Sequence, residues 1–128
     1  MILLLDTSTP TCRLSMIEGD WRYDTMWEAG RELSKGLLGF LEQEISFQEK
    51  SWEDVTGLVV YQGPGSFTGL RIGITVFNSL AYANKWPIVG VTGDDWRAQG
   101  IKRLESGEND EIVLPEYGAE ANITKPRK

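Results

Sequence analysis

Gly57-Leu58-Val59-Val60-Tyr61-Gln62-Gly63-Pro64-Gly65-Ser66-Phe67-Thr68-Gly69-Leu70-Arg71-Ile72-Gly73 is the stretch that decides the architecture. Its first five residues are nearly all apolar, as expected of a strand covered on both faces. From about Leu70 to Asn84 the apolar side chains recur at helical spacing, so a buried strand runs through a glycine-rich loop into a helix. Such a density of glycine needs a cause. Glycines allow positive φ and close backbone approach, and a helix start offers free N–H groups at a positive dipole end, where a phosphate or carboxylate can sit. The competing reading is a tight strand-to-helix connection whose glycines only permit close packing. The loop is neither a Walker P-loop, since no Gly-Lys-Ser/Thr follows, nor a dinucleotide fingerprint.

Upstream, Ile2 to Leu5, Cys12 to Ile17 and Trp21 to Trp27 read as three strands joined by turns at Thr9-Pro10-Thr11 and Glu18-Gly19-Asp20. The alternation Trp21, Tyr23, Thr25, Trp27 has the period of two that presents one strand face to a packed layer. After Gly30, Leu33, Leu37, Leu41 and Ile45 recur every four positions and define a first helix, with Leu38 beside them. Downstream, Pro87 opens a fifth strand, Ile88-Val89-Gly90-Val91, and a weaker third helix is expected from Asp95 to Leu104. The order β-β-β-α-β-α-β-α predicts an α/β domain with a mixed five-stranded sheet. It fits a single lobe of the actin-like and Hsp70-like ATPase fold, a ribonuclease H-like unit. That lobe would span residues 1–104. Residues 105–128, polar and holding Pro115 and Pro126, are expected to form a tail or the remnant of a second lobe.

Composition limits the chemistry. The 128 residues suit one domain, and their 41% hydrophobic and 25% charged content suits a globular one. No apolar run approaches the ~18 residues that span a bilayer. Met1 to Leu5 lacks the basic start and length of a signal-peptide core and reads as a strand. A single cysteine allows no internal disulfide and fits a reducing compartment, so a cytoplasmic location is expected. There is no histidine, which excludes Ser-His and Cys-His nucleophiles and histidine-ligated metal; no metal site is expected. The net charge of −6 opposes unaided binding to a phosphate backbone, because lysine and arginine supply that affinity.

A second candidate site is Asp6-Thr7-Ser8-Thr9, where a carboxylate and three hydroxyls gather at the end of the first strand. In ATPases of this fold the first hairpin contacts phosphates and an aspartate handles magnesium. Local turn capping accounts for the same residues. Together with Gly63, Gly65, Ser66, Thr68 and Gly69, the residues Asp6, Thr7 and Ser8 form a vestigial phosphate-loop candidate. Asp94-Asp95, Glu53-Asp54 and Glu42/Glu44 read as solvated surface, the five tryptophans as packing, and Lys125, Arg127 and Lys128 as a small basic tail.

Both long helices are greasier than a lone domain needs. A helix lying on a sheet requires an apolar stripe only ~100° wide. In the first helix Phe40, Phe47 and Gly36 widen the arc set by the leucines. In the second, Leu70, Ile74, Phe77 and Ala81 are joined by Ile72, Val76, Leu80 and Ala83. The surplus points to a protein–protein interface of Leu33, Gly36, Leu37, Phe40, Leu70, Arg71, Ile72, Thr75, Val76 and Ser79. Alternatively the two helices cover each other within the chain.

The segments Ile2-Leu3-Leu4-Leu5-Asp6-Thr7-Ser8-Thr9 and Gly63 to Gly73 resemble the two signatures of the TsaB (YeaZ) family. Pro87 to Thr92 is similar to the family's next strand, and Leu114-Pro115-Glu116-Tyr117 faintly resembles its closing Pro-x-Tyr element. The resemblance covers roughly residues 1 to 92. It implies a degenerate actin-like ATPase relative with no catalysis of its own, whose first two helices pair with those of the transferase TsaD. The ATPase TsaE would join the assembly, tRNA would be contacted only indirectly, and no intrinsic cofactor is implied beyond ATP or ADP near the surface shared with TsaD. The expected role is a scaffold for threonylcarbamoyl-adenosine formation in tRNA. A small nucleotide-binding or ATP-hydrolysing domain using Asp6, Thr7 and Ser66 is the alternative, and a homodimer through the same helices is a further expectation. Three departures from the family are read here: where relatives generally have a second lobe, at most an abbreviated tail is expected, Leu33 stands where many have histidine, and Gly93-Asp94-Asp95-Trp96 replaces a more apolar segment.

Overall fold

The computed structural model describes residues 1–117, so Lys125, Arg127 and Lys128 of the expected basic tail lie outside the described residues. The strands are β1 (Ile2–Asp6), β2 (Thr11–Glu18), β3 (Trp21–Glu28), β4 (Gly57–Tyr61) and β5 (Ile88–Val91), and the helices α1 (Leu33–Phe47), α2 (Phe67–Asn84) and α3 (Trp96–Glu105). One sheet forms in the order β3-β2-β1-β4-β5. β1–β2 and β2–β3 are antiparallel, whereas β1–β4 and β4–β5 are parallel. This is the mixed sheet expected from the element order. Parallel neighbours need crossovers, which α1 and α2 supply, while the antiparallel ones need only short turns.

The pleat sorts side chains between two cores. Leu3, Leu5, Leu58, Val60 and Ile88 face a large cluster with Leu37, Leu41, Ile45, Leu70, Ile74 and Phe77 of α1 and α2. Leu4, Val59, Val89 and Val91 face the other way, onto Trp96, Ile101 and Leu104 of α3. Gly100 lets α3 sit close, since a Cβ there would lie 2.3 Å from Val59 Cγ1. β4 is covered on both faces, which is why its sequence does not alternate.

α2 begins at Phe67, three residues before the expected start. Ser66 caps it, its Oγ accepting from the Gly69 N–H at 3.2 Å. The cap lies inside the glycine run, where spacing alone gives no boundary.

Residues 106–117, the described part of the segment expected as a tail, pack against the lobe. Arg103 bonds Glu108 through Nε, Asp110 through Nη2 and the Gly90 carbonyl through Nη1. Asp110 Oδ2 accepts from Gly90 N–H at 2.9 Å, and Asn109 Oδ1 accepts from Ile88 N–H at 3.1 Å. Those amides form the outer edge of β5, and the side chains close it to pairing. Val113 is 2% exposed in the α1–α2 core, and the Asn78 amide brackets its backbone N–H and C=O. Glu116 N–H donates to the Gln62 carbonyl at 2.8 Å, and Gln62 returns a bond to the Leu114 carbonyl. Residues 108–117 therefore form a strap across β5 and α2.

Candidate functional site

The first hairpin and the glycine loop meet in direct contact at the carboxyl ends of β1 and β4. Thr7 is 1% exposed, and its hydroxyl donates to the Gly69 carbonyl at 2.7 Å. The Ser66 N–H donates to the Ser8 carbonyl at 2.8 Å. A Cβ on Gly65 would stand 2.4 Å from Ser8 Cβ, one on Gly69 2.3 Å from the Thr7 carbonyl oxygen, and one on Gly73 2.2 Å from Thr7 Oγ1. Three glycines are thus used up by the approach of the hairpin. Gly69 and Gly73 pack on Thr7 and Gly65 on Ser8, so close packing accounts for these three glycines. Gly63 sits at φ +123°, a backbone region that favours glycine, and packs against the Glu116 carbonyl.

Asp6 behaves as a turn residue, its Oδ1 accepting from Ser8 N–H at 2.8 Å. Burial pushes the Tyr61 phenol above its ordinary value, and the Asp6 and Asp94 carboxylates push it further. Cys12 is no nucleophile: burial, with Asp6 adding to it, raises its thiol to about 12, so no appreciable thiolate exists at neutral pH. Among the described residues, no three acidic or cysteine side chains gather as a metal site.

Beside this contact a cleft of about 450 Å³ opens between the β1–β2 turn and the first turns of α1 and α2, lined by Thr9, Arg31, Ser34, Ser66, Thr68 and Ile72. Ser66 and Thr68 were sequence candidates. Arg31 and Ser34 were not, because nothing in sequence order places them opposite the glycine loop. Their position just after Gly30, at the mouth of a helix, was the one available signal.

The helix pair divides the expected partner interface. Leu33, Leu37 and Leu70 are 6%, 0% and 0% exposed, so they belong to the chain's own core and offer nothing to a partner. Gly36 and Phe40 serve β3: a Cβ on Gly36 would meet the Trp27 ring at 2.7 Å, and Phe40 stacks on Trp27 at 5.2 Å. Trp27 was not foreseen as the reason for an α1 glycine. Arg71, Thr75 and Ser79 are exposed, with Ile72 and Val76 half-buried beside them. Leu38 and Phe47, read as part of the apolar arc, are 48% and 65% exposed. Part of the surplus is therefore sealed within the chain, and part faces outward along α2 and the neighbouring flank of α1.

Known proteins resemble this chain over most of its length. The family model described as "TsaD: tRNA N6-adenosine threonylcarbamoyltransferase" matches residues 27–113. The tRNA threonylcarbamoyladenosine biosynthesis protein TsaB of Escherichia coli K12 is 33% identical over 131 residues, covering 94% of this chain and 56% of that protein. Its counterpart from Haemophilus influenzae is 28% identical, covering 84% and 46%. The structure of YeaZ from Pseudomonas aeruginosa superposes with a TM-score of 0.68 at 28% identity, over 82% of this chain and 49% of that one. The chain thus spans about half the length of the relatives it matches. With the hairpin and glycine-loop signatures packed on each other in a β3-β2-β1-β4-β5 sheet, and with these likenesses across most of its length, the chain belongs to the TsaB (YeaZ) family.

Proposed function

We propose that the chain is a non-catalytic subunit that docks on the TsaD transferase through the outer face of α2 and the adjoining flank of α1, and so supports threonylcarbamoyl-adenosine formation in tRNA. The observation that carries this reading is the outward surface of the helix pair. Half-buried Ile72 and Val76 lie among exposed Arg71, Thr75 and Ser79, with Leu38 exposed on α1. Small side chains at Thr75, Ser79 and Ala83 permit close approach of a second helix, and the apolar ones supply the desolvation that stabilises a protein interface. A role without catalysis is supported by the missing histidine, the buried Cys12 thiol and a glycine loop engaged with Thr7 and Ser8. A chain of net charge −6 suits indirect contact with tRNA. ATP or ADP at the shared surface would find the cleft lined by Arg31, Ser66 and Thr68 beside the docking face, where TsaE would also approach.

Co-expression with TsaD followed by size exclusion tests the proposal. One co-eluting complex is expected, and Thr75→Arg with Ser79→Arg, both at exposed positions, should separate it without loss of fold. Elution of the unaltered chains as two species would overturn the docking role, and a stable homodimer that excludes TsaD would replace it with self-association.

A further inference from the structure

Among the described residues, the sheet face opposite α1 and α2 is covered only in part. α3 packs on β4 and β5, which leaves Arg13 of β2 and Arg22, Asp24 and Met26 of β3 exposed. There Arg13, Arg22 and Arg97 of α3 surround a cleft of about 430 Å³ together with Ser15, Asp24 and Thr25. The three guanidiniums do not share one role. Arg22 Nε lies 3.0 and 3.2 Å from the two oxygens of Asp24, and Ser15 Oγ donates to the same carboxylate. Asp24 is therefore occupied: it holds Arg22 in place by direct bonds, and the more distant Arg97 charge also favours its ionised form.

Arg13 and Arg97 are different. Neither has a carboxylate within 4.0 Å among the described residues, although Asp6 stands opposite Arg13 in the β1–β2 register. Arg97 lies over the Trp96 ring at 4.5 Å, and its Nε is buried without a hydrogen-bond partner, alone in this among the buried side-chain atoms described. Native structures keep few desolvated donors without an acceptor, so each one calls for a reason. Three cations and one carboxylate lining a small cleft, in a chain of net charge −6, leave a local positive excess. Guanidinium forks match paired anionic oxygens geometrically, and the volume falls in the range of small-molecule sites, about 300–1,000 Å³.

We propose that this cleft binds a small polyanion, a phosphate ester or a polycarboxylate, with Arg13 and Arg97 as its two forks not bonded to a carboxylate among the described residues and Arg22 fixed beside them by Asp24. The site is separate from the α2 docking face and stands or falls independently of TsaD binding. Calorimetric titration of the chain with pyrophosphate and, separately, with citrate tests it. Saturable one-site binding of either probe is expected, and the tighter of the two identifies the class of anion. Arg13→Gln and Arg97→Gln should each weaken binding by about tenfold or more, the loss of a charge-assisted hydrogen bond. Lys102→Gln, which removes an exposed cation of α3 outside the cleft, should leave it unchanged. Should Arg97→Gln unfold, Arg13→Gln carries the test, because that side chain reaches solvent and lies outside both cores. The proposal is overturned by absence of saturable binding with both probes, by an equal loss in Lys102→Gln, or by unaltered affinity in Arg13→Gln.

Discussion

Replacing Gly73 by alanine separates helix propensity from tertiary fit with a predictable sign. In an unconstrained helix interior, Gly→Ala stabilises by about 1 kcal/mol. At Gly73 the new Cβ would stand 2.2 Å from Thr7 Oγ1, 2.9 Å from its Cγ2 and 3.0 Å from its Cβ. Thr7 cannot simply turn away, because it is β-branched, 1% exposed and bonded through Oγ1 to the Gly69 carbonyl. Overpacking costs about 1–3 kcal/mol and the displaced hydrogen bond about 1 kcal/mol, against the helical gain of about 1 kcal/mol. The net loss is about 1–3 kcal/mol, a fall in Tm of about 3 to 10 °C for a domain of this size. Gly39 of α1 is the internal comparison. It is exposed and has nothing within 4 Å of an added Cβ, so Gly39→Ala should stabilise by about 0.5–1 kcal/mol. Urea unfolding of both variants beside the unaltered chain decides the matter. If Gly73→Ala proves as stable as the starting protein, the glycine loop is not held by the hairpin, and a ligand becomes the better explanation of its glycines.

Further outcomes follow from other contacts. Tyr23→Phe removes the hydroxyl that donates to buried Glu44 at 3.0 Å and should cost about 1–3 kcal/mol in chemical denaturation. Cys12 titrates near 9.0 when unfolded and near 12 when folded, so the folded state retains its proton longer and stability falls as pH rises from about 9 toward 12. Cys12→Ala should flatten that part of the stability profile, and a thiol reagent at pH 8 should label Cys12 only after unfolding. Asp110→Ala frees the Gly90 amide and one fork of Arg103, so hydrogen exchange at Gly90 should accelerate while the β1–β2 amides keep their protection.

The fold could be read in advance because its elements carry strong local signals. The buried run of β4, the alternation of β3 and the four-residue repeat of α1 each have one plausible structure. The boundaries that moved did so for local reasons of capping, as at Ser66. The site was less legible. Spacing showed that α1 and α2 carry excess apolar surface, but not which residues are covered, since that depends on distant groups. Trp27 claims Gly36 and Phe40, the sheet claims Leu33, Leu37 and Leu70, and Leu38 is left outside. The glycine loop was equally two-sided until Thr7 and Ser8 appeared against it.

Residue order by itself determined the succession of strands and helices, the exclusion of histidine chemistry and the family signatures, because periodicity, composition and short motifs are properties of neighbours along the chain. The tertiary structure alone decided that the glycines accommodate the hairpin, that residues 108–117 strap the β5 edge, and that Arg13, Arg22 and Arg97 share one cleft. Those facts depend on contacts between groups far apart in sequence, and such contacts exist only once the sheet has brought its strands together.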